Sequence, residues 1–294
     1  MKKKKVFIAL KMSVIAGQEK LAGIFKYLNE RYAGDVPWEI QLVRTSGELT
    51  GEVVERAISD GTGGFIVSIP DARDAVVPLA GISTPTIVVD VHCEALAKRE
   101  KNIAFIRNSA PAIGSQAAHF LLRQGIARSY AFLHSRPVTD WSEARFMAFR
   151  NTLNDHGHWC HELFDCEEIA GLKLPAAVLA ANDDYAFDLM KTLAARQIEI
   201  PEQVAVLGVD NDTLICENAR PRLSSVQPDF RHEGHLAAEM LDRMMDGEVA
   251  SSRTAVVGVN RIVQRESTAE QSHAGLLVQK ALAYIDCHAL DGIG

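Results

Sequence analysis

Two apolar runs in this 294-residue sequence stop abruptly in short polar groups. AAVLAA (176–181) runs into Asn182, Asp183 and Asp184, and VAVLGV (204–209) runs into Asp210, Asn211 and Asp212. Ser13, Asp71 and Asn108 follow three further apolar runs, and Asp90 closes a fourth. Short amides and carboxylates each grip one or two hydroxyls, so a set of them facing one cleft suits a neutral polyol. Any one of them also reads as a helix cap. Taken together, a shared ligand site is the stronger reading. In WSEAR, Trp141 and Arg145 stand four apart, on one face of a helix. Arg145 can fork two hydroxyls, and Trp141 or Phe146 can offer an apolar wall. The bland alternative is a surface ion pair of Arg145 with Asp140 or Glu143 beside an ordinary core aromatic.

Other chemistry is weakly supported. His156, His158, Cys160 and His161 are dense enough to suggest zinc. A helix end feeding a strand does not gather them on one side, and no second ligand pair stands at the usual spacing. Asp183 and Asp210 form a conceivable acid/base pair, yet nothing supplies a nucleophile. Phosphate-loop, dinucleotide, nucleophile-elbow and zinc-protease motifs are all missing. The expectation is a binding protein rather than an enzyme, with no catalytic residue, metal or cofactor.

These groups need a scaffold, and the apolar pattern supplies one. Strands are expected at 6–10, around Ile40 and Leu42, and at 64–69, 86–91, 103–106, 130–134, 176–181, 204–209 and 254–263. Helices fall between them. One carries a stripe of Leu21, Ile24, Phe25, Leu28 and Tyr32; others cover 53–58, 111–124, 141–153, 186–195 and 232–245. Pro111 fits a first helical turn. Alternating strand and helix means parallel sheets with helices on both faces. The fold class is therefore α/β, with two Rossmann-like lobes. One connection is too short: between 160–164 and 176 lie 11 residues, where a parallel crossover needs a dozen or more. Either a helix has shrunk to one turn, or 160–164 is not paired in parallel.

Composition narrows the function. A 47% hydrophobic content builds a full core, and a net charge of −7 argues against wrapping nucleic acid over the whole body. Five scattered cysteines without a CxxC pair read as free thiols in a reducing compartment, and no apolar run is long enough for a membrane. A cytoplasmic protein without a membrane partner is expected. The lysines at 2–5 before VFIAL resemble a signal start, but Lys11 breaks the run.

Three stretches carry a resemblance: PAAVLAAND (175–183), IPEQVAVLGVDN (200–211) and PRLSSV (221–226). They resemble the LacI/GalR effector-binding domain, which is similar to sugar-binding proteins of the periplasmic binding protein-like class I. The likeness covers about 6–267. RESTA (265–269) and LVQKALAYIDCHALDGI (277–293) look like the linker and first helix of an AraC-type DNA-binding domain. That order resembles the xylose operon regulators. It implies an N-terminal lobe of 1–126 plus 228–252 and a C-terminal lobe of 127–227 plus 253–266. Residues 267–294 then begin a truncated DNA-binding domain. It also implies three hinge crossings, near 124–129, 226–229 and 250–253. Arg145, Asn182 and Asp210 match the family's sugar ligands, with Ser13, Asp71, Asn108 and Trp141 around them. Asn108 replaces the family's acidic residue, and Ala16 and Gly17 stand where polar residues often open the first helix. The implied partners are a small sugar, xylose or a similar pentose, and DNA through residues beyond Gly294, in a homodimer. A sugar-binding protein without a DNA role and a sugar-processing enzyme are the alternatives.

Overall fold

In the computed structural model, residues 3–44, 49–69, 79, 81–91, 94–125, 127–248 and 253–269 are described. Their contacts divide the chain into two compact units. Unit 1 comprises Met1–Gln116, Arg136–Ala148 and Val226–Arg261; unit 2 comprises Ala117–Ser135, Phe149–Ser225 and Ile262–Gly294.

Unit 1 is built on one sheet. Its strands are β1 (Lys4–Ala9), β2 (Trp38–Val43), β3 (Thr62–Ser68), β4 (Thr86–Val89), β5 (Ile103–Asn108) and β11 (Thr254–Val257), in the order β11-β5-β4-β3-β1-β2. The pairing is parallel, with Val6 opposite Ile40 on one side and Gly64 on the other. Period-two alternation splits the core between the faces. Val6, Ile8 and Leu10 pack with Ile24 and Leu28 of α1 (Ile15–Tyr32) and with Ala237 and Leu241 of α8 (Phe230–Met245). Phe7 and Ala9 pack with Val54 and Ala57 of α2 (Gly51–Ser59) and Leu96 of α3 (Glu94–Arg99).

The expected stripe on α1 is rotated in the structure. Phe25 is 43% exposed, while Gly17, Lys20, Gly23 and Tyr27 are buried with Ile24 and Leu28. The reason is close backbone contact with α8. A Cβ on Gly23 would lie 1.9 Å from the Arg231 carbonyl oxygen, and one on Gly234 would lie 1.9 Å from that of Lys20. The small-residue face is therefore the buried one.

The second sheet repeats the topology: β12-β10-β9-β8-β6-β7. Its strands are β6 (Ser129–Leu133), β7 (Cys160–Leu163), β8 (Ala176–Ala180), β9 (Val204–Val209), β10 (Ser224–Pro228) and β12 (Val259–Val263). β7 pairs with β6 in parallel, and the short link to β8 holds a 3₁₀ helix, Cys166–Gly171, capped by the Asp165 carboxylate. The first of the two sequence alternatives, a helix reduced to a turn, is what the chain adopts. The helices are α4 (Ala110–Gln124), α5 (Asp140–Asp155), α6 (Asp183–Ala195) and the single turn α7 (Thr213–Cys216). On α5, Phe146, Phe149 and Leu153 are buried, as their spacing predicts.

Residues 254–263 do not form one strand. The chain breaks at Gly258, so that β11 joins β5 in the first sheet and β12 joins the second. The return to the second sheet therefore comes later than the expected boundary at 253. Of the expected crossings, residue 126 and residues 250–252 lie outside the described residues; 226–229 forms the end of β10 and the cap of α8. The helix expected from the spacing at 276–288 also lies outside them. No helix among the described residues is long and apolar enough to cross a membrane.

Candidate ligand-binding site

Strand register brings two of the expected residues together in unit 2. β8 and β9 are parallel neighbours with Leu179 opposite Leu207. Asn182 and Asp210 each stand three residues further on, so they leave adjacent strands at the same height. In parallel α/β sheets ligands bind at this carboxyl edge.

The neighbouring acid, Asp183, is a buried peg at 2% exposure. One carboxylate oxygen accepts from the Ser225 hydroxyl at 2.7 Å; the other accepts from the Asp212 N–H at 2.7 Å and the Cys216 thiol at 3.4 Å. Burial, then the nearby Asp210 charge, holds its carboxyl well above the usual carboxylate range. Asp183 thus ties the ends of β8, β9 and β10 together. Asp210 and Asn211 both adopt positive φ, 107° and 53°. The Ser225 hydroxyl oxygen accepts from the Asn211 N–H at 2.9 Å, which helps hold that uncommon turn.

Asn182 caps α6, its amide oxygen accepting from the Tyr185 N–H at 3.1 Å. The capping role occupies the oxygen and leaves the amide nitrogen's donors out of the cap. Asn182→Ala is expected to cost about 1 kcal/mol of stability, measured by urea unfolding. An unchanged midpoint would contradict the capping role.

The same turn is held from the far end of the described chain. Arg265, 8% exposed along its side chain, donates to the Asn211 side-chain oxygen at 2.9 Å, to the Leu223 carbonyl at 2.9 Å and to Glu217 at 2.6 Å. Ser267 is clamped by the Ser224 N–H and the Val206 carbonyl. By sequence alone this polar stretch reads as a linker, because its serines and arginine find their partners only across the sheet.

In unit 1, Arg145 is buried at 3% exposure with its guanidinium carbon 4.7 Å from the centre of the Trp141 ring. The two residues stack one helical turn apart on α5. The carboxyl edge of the first sheet carries Ser13 beyond β1, Asp90 beyond β4 and Asn108 at the end of β5. Neither Ser13 nor Asn108 is the cap next to it. α1 has Val14 at its cap position without a side-chain bond, and Ser109 caps α4 through the Ala112 N–H. Asp71 lies outside the described residues.

One group on this edge was not anticipated. Lys20 of α1, 2% exposed, hydrogen-bonds Asp90 and lies 3.5 Å from Glu233 of α8, which is fully buried. Burial pushes the Glu233 carboxyl up to about 7, partly offset by Lys20; Asp90 and Asp229 push the same way as burial. Burial works against the Lys20 charge, and Asp90 and Glu233 together more than reverse that, raising its pKa. The folded chain then holds the Glu233 proton more tightly than the unfolded one. Stability should fall as pH rises from about 4.5 to about 7 and level off above, by roughly 3 kcal/mol. Urea unfolding across that range should show Glu233→Gln flattening the slope relative to wild type; parallel slopes would contradict the assignment.

The histidine–cysteine cluster is dispersed among separate partners. His156 bonds the Thr152 carbonyl at 2.8 Å and meets His119 edge-on, and His158 packs on Tyr130. The Cys160 thiol is buried and pushed up to about 12 by that burial, which makes it unreactive as a free nucleophile. Cys160, Cys166 and Cys216 are free thiols.

Two parallel sheets of the same strand order, with short polar side chains at their carboxyl edges, define a class. The chain belongs to the periplasmic binding protein-like domain family, whose model matches residues 118–268. It is similar to the xylose operon regulatory protein of Escherichia coli strain K12, 26% identical over an alignment of 253 residues, with coverage of 80% of this chain and 64% of that protein. The corresponding protein of Haemophilus influenzae is 31% identical over 116 residues, 38% of this chain and 30% of its own length. The chain thus spans less than two thirds of the length of these relatives. Two solved structures share the fold. One is the xylose-binding transcription activator xylR, with a TM-score of 0.75 at 21% identity over 100% of this chain and 77% of that one. The other is a periplasmic binding protein/LacI transcriptional regulator from Alkaliphilus metalliredigens complexed with D-xylulofuranose, with a TM-score of 0.71 at 18% identity over 91% and 100%.

Proposed function

We propose that this chain is the effector-binding part of a sugar-responsive bacterial transcription regulator, and that its ligand is xylose or a similar pentose. The observation that carries the reading is the pair Asn182 and Asp210, set level on adjacent strand ends and braced by the Asp183–Ser225 hydrogen bond. An amide beside a carboxylate offers both donors and acceptors to a polyol's hydroxyls. Arg145 and Trp141 supply a fork and a wall of the kind sugars use, and Ser13, Asp71 and Asn108 complete the proposed set.

The reading is one of binding and release rather than turnover. Asp183 is buried and bonded to three donors that brace the strand ends, which suits a structural role. The reading includes output through a DNA-reading module in a cytoplasmic homodimer; the transcription-regulator names of the relatives support the output. The tether from Asn211 to Arg265 gives the ligand edge a direct hydrogen-bonded link toward the C-terminal residues. A sugar would bias the regulator only through its differential affinity for two conformations.

A thermal-shift screen across pentoses and hexoses tests the proposal. At about 100 times Kd a bound sugar adds roughly 2.7 kcal/mol, a rise of several degrees in Tm for a chain of this size. A flat response to every sugar would overturn it.

A further inference from the structure

The Lys20 cluster combines burial with access to the ligand edge. Lys20 and Glu233 have side-chain exposures of 2% and 0%, while Asp90 is 26% exposed. Of the three, Asp90 alone reaches solvent, and it does so at the carboxyl end of β4. Both of its oxygens are held: Lys20 donates to one and the Ser68 hydroxyl, from the end of β3, donates to the other. Its backbone is fixed as well, at a φ of 81° with its N–H bonded to the Ile106 carbonyl at 3.0 Å. Lys20 is fixed in turn by Glu233 and by the Phe230 ring, 5.0 Å from Nζ to its centre.

Stability alone is a poor explanation for this arrangement. A buried ion cluster is often no better than well-packed apolar residues of the same volume. The α1–α8 contact already has its own source in Gly23 and Gly234, where backbone meets backbone. What a lysine supplies that an apolar side chain does not is a carboxylate kept charged and aimed at the edge of the sheet. A carboxylate with two fixed oxygens still has lone pairs for the hydroxyls of a ligand.

We propose that Lys20 is a positioning residue of the ligand site: it orients Asp90 to accept hydroxyls of the sugar, and Glu233 is the buried counter-charge that keeps Lys20 in place. This rests on the sugar-binding reading above.

Lys20→Met alone strands two carboxylates around an apolar side chain, and such a chain is expected to unfold readily. The informative variant is therefore Lys20→Met with Glu233→Met, which removes both buried charges and retains Asp90. It should melt within a few degrees of wild type. It should bind the pentose that most stabilises the wild type about tenfold or more weaker by calorimetry, the worth of one charge-assisted hydrogen bond. Its ligand-free crystal structure should show Asp90 turned away from Ser68. An affinity within twofold of wild type overturns the proposal wherever Asp90 lies. If the wild-type chain responds to no sugar, the sugar reading fails separately and the crystal structure decides the positioning role: a displaced Asp90 supports it and an unmoved Asp90 overturns it.

Discussion

Asp210→Ala should remove about half or more of the sugar-induced rise in Tm while leaving the unliganded chain folded. Asp210 stands beyond the last residue of β9, at positive φ, outside both hydrophobic faces of the sheet. Its backbone turn is held by other groups: Asn211 bonds Ser225 and Arg265, and the Asp212 N–H bonds Asp183. Alanine at this position removes the carboxylate and keeps that frame. A carboxylate gripping a ligand hydroxyl contributes about 1.5–3 kcal/mol, so its loss weakens binding by roughly 10- to 150-fold. At about 100 times the wild-type Kd, roughly half to nine-tenths of the stabilisation then disappears. Arg145→Ala should lose the response as well, with a lower starting Tm, because the guanidinium is buried against Trp141. Full retention of the shift in Asp210→Ala would remove Asp210 from the site.

The second large effect is structural and concerns the glycine before that turn. Gly208 lies in β9 directly under the Asp183 carboxylate. A Cβ there would sit 2.2 Å from Asp183 Oδ1 and 3.2 Å from a Leu223 methyl. Gly208→Ala must push the peg aside, and the displaced carboxylate gives up the Ser225 hydroxyl, whose oxygen also accepts from Asn211. Overpacking and a stranded buried donor together should cost about 3 kcal/mol or more. The claim is specific to one contact, so a double-mutant cycle isolates it. In an Asp183→Ala background the same Gly208→Ala change should cost far less. Equal costs in the two backgrounds would mean that the glycine answers to something other than Asp183.

Much of the scaffold is legible in the sequence because it follows local rules. Buried parallel strands read as unbroken apolar runs, and β1, β8 and β9 do so plainly. AAND and GVDN mark their own positions, since a polar group directly after such a run can only leave the sheet at its carboxyl end. The tertiary substitutions are not legible. Helix α1 reads as an apolar stripe through Phe25, yet its buried face holds Gly23 and Lys20, because α8 presses backbone to backbone and Asp90 and Glu233 neutralise the lysine. Residues 254–263 alternate like one strand, and nothing local says that Gly258 hands the chain from one sheet to the other. β10 has serines at 224 and 225 where an apolar run is expected; both are fully buried because Asp183, Ser267 and Thr268 satisfy their hydroxyls and N–H groups from elsewhere in the sequence. In each case the missing information is the identity of a partner far away along the chain.

The most direct test of the account is a crystal structure of the chain with the sugar that raises its Tm most. The account predicts sugar hydroxyls within hydrogen-bond distance of both the Asn182 amide and the Asp210 carboxylate. A sugar seated with neither residue in reach would contradict it.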